Sequence, residues 1–497
     1  MASALINNNL FVNIMAVNDN DAYKKIVLSL KRRKKGATAA DVCAATALPL
    51  STVRELLPKA ADEYSGHLQV TQSGEILYYF SGFTSRYRGF TARLKRITDK
   101  GASFVKSALV FLFKVWIMVM LIGYFVLFLA IALASVFLSV AAKSSGRDRR
   151  GGSFIGFSML DLLLRLWFYS EITRPRYGNE RVTRNEKPKR PMHKAVFSFV
   201  FGEDDPNKDW QERQSRAVIG YIQANRGVIS LAEYMAFTGE NSMEAEKSIL
   251  AFCSKYAGSP EVTDEGTIVY RFDELLLRAD SGKFSELSPP VKRLKTFSAN
   301  SKKMNGWFAV INAVNLIFGS YFLYQSFFAG QLITEIQYQT ASYLYSFTYL
   351  LLEMVTVEPS TIIRIVLGFI PLLFSLFFWI IPAVRHFLEK NENEGIKLAN
   401  FKRLIFGKIW SSPKNIDLSR FQPPTAECRP RDPGEAVDRA IKDMGAISSP
   451  DVEQNEEGKT IYSFNELENE KRALEKYRSG IDPSLSKLGK TVFDSGE

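Results

Sequence analysis

Apolar positions along the chain fall into three kinds of pattern. Residues 107–142, 307–328 and 362–384 are apolar almost throughout, and each run is long enough to cross ~30 Å of hydrocarbon as a helix. Elsewhere apolar residues recur at helical spacing, as at Tyr23, Ile26, Val27 and Leu30. The third pattern alternates. Gly266-Thr267-Ile268-Val269-Tyr270-Arg271-Phe272 places apolar and aromatic residues at strand spacing after a Gly-centred turn, as a β-hairpin requires. Residues 74–80 and 458–464 repeat it. The first two copies carry Val-Thr before the turn (Val70-Thr71, Val262-Thr263). The second and third share Ser-Pro-acid-Val ahead of it (from Ser259, from Ser449) and Phe-Asp/Asn-Glu-Leu after it (from Phe272, from Phe464). One module is used three times.

The first copy reads helix, helix, helix, hairpin over 21–80. Thr38 with Asp41 forms a capping box, Asp standing in for Glu, and Pro49 with Ser51 opens the third helix. The same order recurs without gaps over 213–272: Val218 and Ile222 repeat Ile26 and Leu30, and Ser230 with Glu233 repeats the cap. Helices followed by a two-stranded wing resemble the winged-helix superfamily. The third copy keeps the last helix (435–444) and the wing; its first helices must lie within 396–431, where the match is poor. The wing aromatics Tyr78, Phe80, Tyr270, Phe272, Tyr462 and Phe464 share one parity and are expected to pack on the helices. Ahead of the second copy, residues 196–207 (Val-Phe-Ser-Phe-Val-Phe-Gly-Glu-Asp-Asp-Pro-Asn) resemble a stretch of uncharacterised multi-pass membrane proteins of cyanobacteria and plastids. That resemblance covers 196–272, departs from the usual form at Glu203 and Asp204, and implies no activity.

Basic residues flank the apolar runs. Residues 326–361 contain no Lys or Arg, whereas Lys292, Arg293, Lys295, Lys302 and Lys303 precede the second run, and Arg385, Lys390, Lys397, Lys402 and Arg403 follow the third. The positive-inside rule makes these runs a hairpin with both ends cytoplasmic. Run 107–142 is basic at both ends, which implies a wedge-like hairpin bending near Gly123 and residues 153–170 lying at the interface. The rival is a single span returning through 153–169, which would bury Asp161 and Arg165. Pro371 and Pro382 bend the last run. Leu398, Phe401, Ile405 and Ile409 form the apolar stripe of an interfacial helix.

The expected fold is mainly α with small β-hairpins: repeated winged-helix-like cytoplasmic modules joined by transmembrane α-helical hairpins. Modules occupy 21–80, 196–280 and, partially, 434–480. An N-terminal segment (1–20) without signal-peptide features precedes them. Basic juxtamembrane segments cover 81–106 and 281–306, and a basic linker covers 143–195. Residues 329–361 form an extracytoplasmic loop, 385–433 an amphipathic helix and linker, and 481–497 a disordered tail.

Composition narrows the chemistry. Three cysteines lie far apart, and three histidines have no helical partner ligand, so no disulfide framework, metal or cofactor is expected. Gly458-Lys459-Thr460 ends like a P-loop but is a wing turn. Asp204-Asp205-Pro206-Asn207 reads as a helix-capping turn rather than a cation site. The net charge of +12 concentrates beside the apolar runs. Arg93, Lys95, Arg96, Lys292, Arg293, Lys295, Lys402 and Arg403 are therefore expected to contact anionic lipid. DNA readers need basic third helices, yet here Arg54 and Lys59 stand against Glu55, Asp62 and Glu63, and Lys247 and Lys255 against Glu240, Glu244 and Glu246. A non-enzymatic membrane scaffold or organiser follows, binding a protein partner or itself. The alternative is a membrane-tethered DNA-binding regulator.

Overall fold

The structure is a computed structural model that describes residues 19–33, 36–83, 90–144, 190–279, 289–328, 343–418, 421–454, 456, 459–482, 484 and 487–495. It is mainly helical with small antiparallel sheets. Its contacts divide it into two units: Met1–Lys95, Asp205–Leu294 and Glu392–Glu497 form the first, and Arg96–Asp204 and Lys295–Asn391 the second.

In the first unit, helix Asp19–Lys31 is followed by a bridge at Ala37, helices Ala39–Thr46 and Leu50–Glu63, and a hairpin of His67–Thr71 with Ile76–Tyr79. The capping box is present: Thr38 Oγ1 accepts from the Asp41 N–H, and the Asp41 carboxylate accepts from the Thr38 N–H. Residues 210–271 follow the same order, through helix Trp210–Ala224, strand Val228–Ser230, helices Leu231–Thr238 and Ser242–Tyr256, and a hairpin of Ser259–Val262 with Ile268–Arg271. Ser230 and Glu233 form the equivalent box. The two hairpin turns match bond for bond. Gly74 N–H donates to Thr71 O and Gly266 N–H to Thr263 O, each at 2.9 Å, with φ of 79° and 83°, a region open to glycine. Tyr78, Tyr270, Phe272 and Phe464 are buried in one core, with Phe80 and Tyr462 packed against it.

The third segment contains helix Pro433–Gly445 and the hairpin Asp451–Gln454 with Thr460–Ser463. Its missing front is the end of the long helix Ile370–Ser411. Phe401, Ile405, Phe406 and Ile409 are fully buried in the core of the first unit. Ile416 bridges Tyr462 as Ala37 bridges Tyr78. A 3-10 turn, Ala426–Cys428, lies between that helix and Pro433–Gly445. The stripe read as an interfacial amphipathic helix is thus corrected: its apolar face meets protein, which removes it from water as fully as lipid would.

One further expectation changes at the C-terminus. Helix Asn465–Gly480 buries Leu467, Ala473 and Leu474. The tail, read as disordered, contributes strand Thr491–Asp494, which pairs antiparallel with His67–Thr71 and makes that sheet three-stranded. Gln69 Nε2 donates to the Asp494 carboxylate at 2.6 Å and Ser495 N–H to Leu68 O at 2.9 Å, so the tail satisfies an otherwise open strand edge.

The second unit holds all but the first residues of helix Phe90–Ser144, which is continuous over 55 residues and corrects the wedge-like hairpin. One glycine in a helix costs about 1 kcal/mol. That is far less than stripping a turn of its hydrogen bonds in hydrocarbon, so Gly123 does not break the helix. The 153–170 stretch lies outside the described residues. Among the described residues, three helices are long and apolar enough to cross a membrane: Phe104–Leu138, Lys302–Phe328 and Pro359–Ser411. The last contains a π-helical stretch, Ile363–Phe369, just before Pro371, where a widened turn absorbs the missing N–H. Asn312 Nδ2 donates to Ser375 O at 3.0 Å and Asn315 Nδ2 to Leu121 O at 2.7 Å, polar ties between apolar helices. Of the loop expected at 329–361, residues 329–342 lie outside the described set. Helix Tyr343–Glu353 follows, with Tyr345 buried beside Phe322 and Ile363. Helix Met192–Phe201 packs Val196, Phe199 and Val200 against Ile117, Phe308 and Phe378, so the boundary expected at 196 moves to Asp205.

Candidate functional site

The densest polar contacts gather on either side of the Asp204–Asp205 boundary, within the stretch singled out at 196–207. In the second unit, Glu203 follows helix Met192–Phe201 and accepts a bidentate pair from Arg190, at 2.6 and 2.9 Å. It also accepts from Ser198 Oγ and, at 3.2 Å, from the Ala299 N–H. The Arg190 guanidinium, with the Ser198 and Ala299 donors, holds the Glu203 carboxyl down from its ordinary 4.5 to about 2, against the opposing effect of partial burial. Arg385 binds the same segment. Its Nη1 donates to Phe297 O at 2.7 Å and its Nη2 to Phe199 O at 2.8 Å, with the guanidinium 4.3 Å from the Phe297 ring centre.

In the first unit, Asn207 clamps the backbone of Arg293 from both sides. Its Nδ2 donates to Arg293 O at 2.7 Å, and its Oδ1 accepts the Arg293 N–H at 2.9 Å. Asp205 Oδ1 accepts the Asn207 N–H at 2.9 Å, so this stretch is a turn, but it does not cap the helix that opens at Trp210, whose N-cap Asp209 makes no side-chain cap bond. Trp210 is a platform for three cations: Arg403 at 4.6 Å, Lys292 at 5.2 Å and Arg213 at 5.5 Å. Arg403 is buried, donating to Thr238 O at 2.6 Å and to Asn400 Oδ1 at 3.0 Å. Its side chain needs the space beside Gly239, where an added Cβ would lie 2.5 Å from Arg403 Cγ and where φ is +74°. Asn400 uses all four of its hydrogen-bond sites, adding the Lys292 N–H and O and Glu427 O. Burial lowers the Lys292 ammonium and raises the nearby Glu240 carboxyl.

The expected lipid contacts separate here. Arg403 is corrected, since its guanidinium is buried among protein acceptors. Lys402 is corrected too, being ion-paired to Asp443 at 2.5 Å. Lys292 is half-buried on Trp210, while Arg293 is exposed. Lys295 is half-buried. Arg93, Lys95 and Arg96 lie on helix Phe90–Ser144, but their side chains fall outside the described residues.

The chain is similar to an uncharacterised chloroplastic protein of Arabidopsis thaliana. The two are 26% identical over 424 residues, which cover 80% of this chain and 74% of the other. No family model matches the chain, and no solved structure matches it.

What this geometry can do follows from its bonding. Glu203, Asn207 and Asn400 themselves bond to protein groups and fix backbone segments, while Arg385 Nε and Glu240 Oε2 nearby are buried without a hydrogen-bond partner. Among the described residues no cluster of His, Cys, Asp or Glu is disposed to hold a metal, and Cys43, Cys253 and Cys428 are buried free thiols. Burial pushes the Cys43 thiol up to about 12 and Cys253 up to about 11, which keeps both protonated at neutral pH. Sequence reasoning missed Asn400 and Arg403 as hubs. An Asn and an Arg on an apolar stripe carry no local sign of the carbonyls that will reach them.

Proposed function

We propose that this protein is an integral membrane scaffold whose first unit is an assembly of three winged-helix-like modules on one side of the membrane. The observation that carries the reading is the way the segments interlock. Each buried cap acid is gripped by an arginine that follows the next segment's hairpin: Arg278 reaches Asp41 at 3.2 Å, and Arg478 reaches Glu233 at 2.6 Å. Tyr256 Oη donates to Ala47 O at 2.9 Å, and Arg54 pairs with Glu274 at 2.8 Å. Cations that a DNA reader would offer to phosphates face carboxylates in exposed ion pairs. Lys59 pairs with Glu55, and Lys476 with Glu265 at the second wing's tip.

This packing also sets topology. Residues 19–83 and 205–279 contact each other, so an even number of crossings separates them. Helix Phe104–Leu138 supplies one crossing, and Met192–Phe201, at 10 residues, is too short for another. Shared sidedness would then need a second crossing, and residues 153–169, which lie outside the described residues, are the apolar sequence available for it. The Lys- and Arg-free interval 326–361 supports a cytoplasmic or stromal side for the first unit. The chloroplastic setting of the Arabidopsis protein supports a plastid or cyanobacterial membrane.

Reporters fused after Phe104 and after Ser145 are expected on opposite sides, with reporters after Ser230 and Ser449 on the side of the first. If Phe104 and Ser145 report the same side, the single crossing is wrong. The full chain in detergent should also show no steeply salt-dependent binding to duplex DNA. Micromolar binding that weakens as salt rises and is lost in Lys247→Glu/Lys255→Glu would instead favour the regulator.

A further inference from the structure

Within the second unit an apolar groove of about 350 Å³ runs between the helices, lined by Trp116, Met120, Phe201, Leu373, Phe377 and Ile381 among others. Its wall extends from Ile370 to Ile381 along one helix, about 16 Å at ~1.5 Å per residue. One leaflet of a bilayer has about 15 Å of hydrocarbon. Trp116, Leu373 and Phe377 are exposed, so the groove opens outward.

A cation stands at the rim. Lys114 is the single charge in run 107–142, and its Nζ lies 4.4 Å from the Phe197 ring centre. Phe197 contacts Phe201 at 4.9 Å, and Phe201 contacts Phe113 at 5.9 Å, both of the latter lining the groove. Lys194, exposed one turn before Phe197, adds a second positive charge. Helix Phe104–Leu138, at 35 residues, exceeds the hydrocarbon thickness. Residues 115–138 can cross alone, at about 36 Å, which leaves Lys114 at headgroup depth.

We infer that this groove is a binding site for an anionic lipid, one acyl chain lying along the Ile370–Ile381 wall and the headgroup phosphate or sulfate meeting Lys114 and Lys194. The inference rests on the membrane reading proposed above. Length chooses an acyl chain, aromatic walls suit it, and the rim cations choose the charge of the head.

The test is native mass spectrometry of the full chain, titrated with phosphatidylglycerol or phosphatidylcholine. One phosphatidylglycerol should be retained, with a preference of about fivefold or more, the attraction of roughly one cation at an anionic surface. Lys114→Gln should erase the preference, and Leu373→Trp, which fills the groove, should weaken retention of both lipids. If the groove-filling variant misfolds, Lys114→Gln still decides. Equal retention of the two lipids, or no change in Lys114→Gln, overturns the inference. So does disulfide formation between copies of Leu373→Cys, which would make a second chain the occupant. Alkaline carbonate extraction separates the two readings. Release of the wild-type chain from membranes defeats the membrane reading, whereas an integrated chain without lipid preference defeats only this inference.

Discussion

Asp41→Ala should destabilise the first unit by about 3–5 kcal/mol, the usual cost of removing one partner from a buried charge pair. Asp41 is wholly buried and its carboxylate collects donors from three directions. Arg33 approaches at 3.1 Å, Arg278 at 3.2 Å and the Ala279 N–H at 2.9 Å, while the Thr38 N–H completes the cap at 3.2 Å. Alanine leaves two guanidinium groups and two N–H donors without this acceptor. Asp41→Asn keeps the shape and one acceptor oxygen and should lose less. Since domains are stable by only about 5–15 kcal/mol, the alanine variant should unfold or become protease-sensitive well below the wild-type midpoint. Chemical denaturation of the full chain, together with Arg278→Ala and the double variant, measures the coupling. A loss under about 1 kcal/mol would show that the lock contributes little.

Arg478→Ala should have a comparable effect with a distinctive pH dependence. The guanidinium donates to both oxygens of Glu233, at 3.0 and 2.6 Å, and to Val228 O at 2.7 Å. Glu233 is also the acceptor for Tyr221 Oη at 2.8 Å. Close by, burial first and the Glu233 charge second raise the Glu470 carboxyl above its ordinary 4.5. Without Arg478, Glu233 loses its counter-ion while the Glu470 charge still acts on it. At neutral pH the cost should be about 3–5 kcal/mol. A carboxyl whose folded pKa is raised binds its proton more tightly when folded, so stability returns as pH falls through that raised value and levels off below 4.5. Wild type and variant both gain this, but the variant, whose Glu233–Glu470 repulsion has lost the compensating cation, should gain more, so the gap between them should narrow from pH 7 toward pH 4.5. A gap that stays constant, or widens on acidification, would mean that charge is not what Arg478 balances. Release of helix Asn465–Gly480, seen as proteolysis near Tyr477, is the structural readout.

Much of this architecture was legible in local patterns. Both capping boxes, the two complete hairpin turns and the inward parity of Tyr78, Tyr270 and Phe272 depend on residues a few positions apart, where sequence and geometry are tightly coupled. The second and third membrane-length helices were legible for the same reason: a run of apolar residues states its own length. The front of the third segment was not legible. Its first helix is fused to the helix that starts at Pro359, and the turn Ala426–Cys428 lies between that helix and Pro433–Gly445, so the gapless register is lost.

By itself, the sequence determined most of the elements, namely the capped helices, the three hairpins and the stretches apolar enough for a membrane, but not the unbroken helix Phe90–Ser144 or the tail strand. Tertiary structure alone decided what those elements face. An apolar stripe such as Phe401, Ile405 and Ile409 must leave water, but lipid and a protein core satisfy it equally, and only packing chose the core. Likewise Arg403 carries the same charge beside a membrane or beneath Gly239. Its role was set by Thr238 O and Asn400, acceptors brought to it by the fold from distant and neighbouring positions in the chain. Asp41 and Glu233 could be read as caps, which are local. That each also receives an arginine from beyond the next hairpin is a contact between remote segments, and no spacing along the chain encodes it.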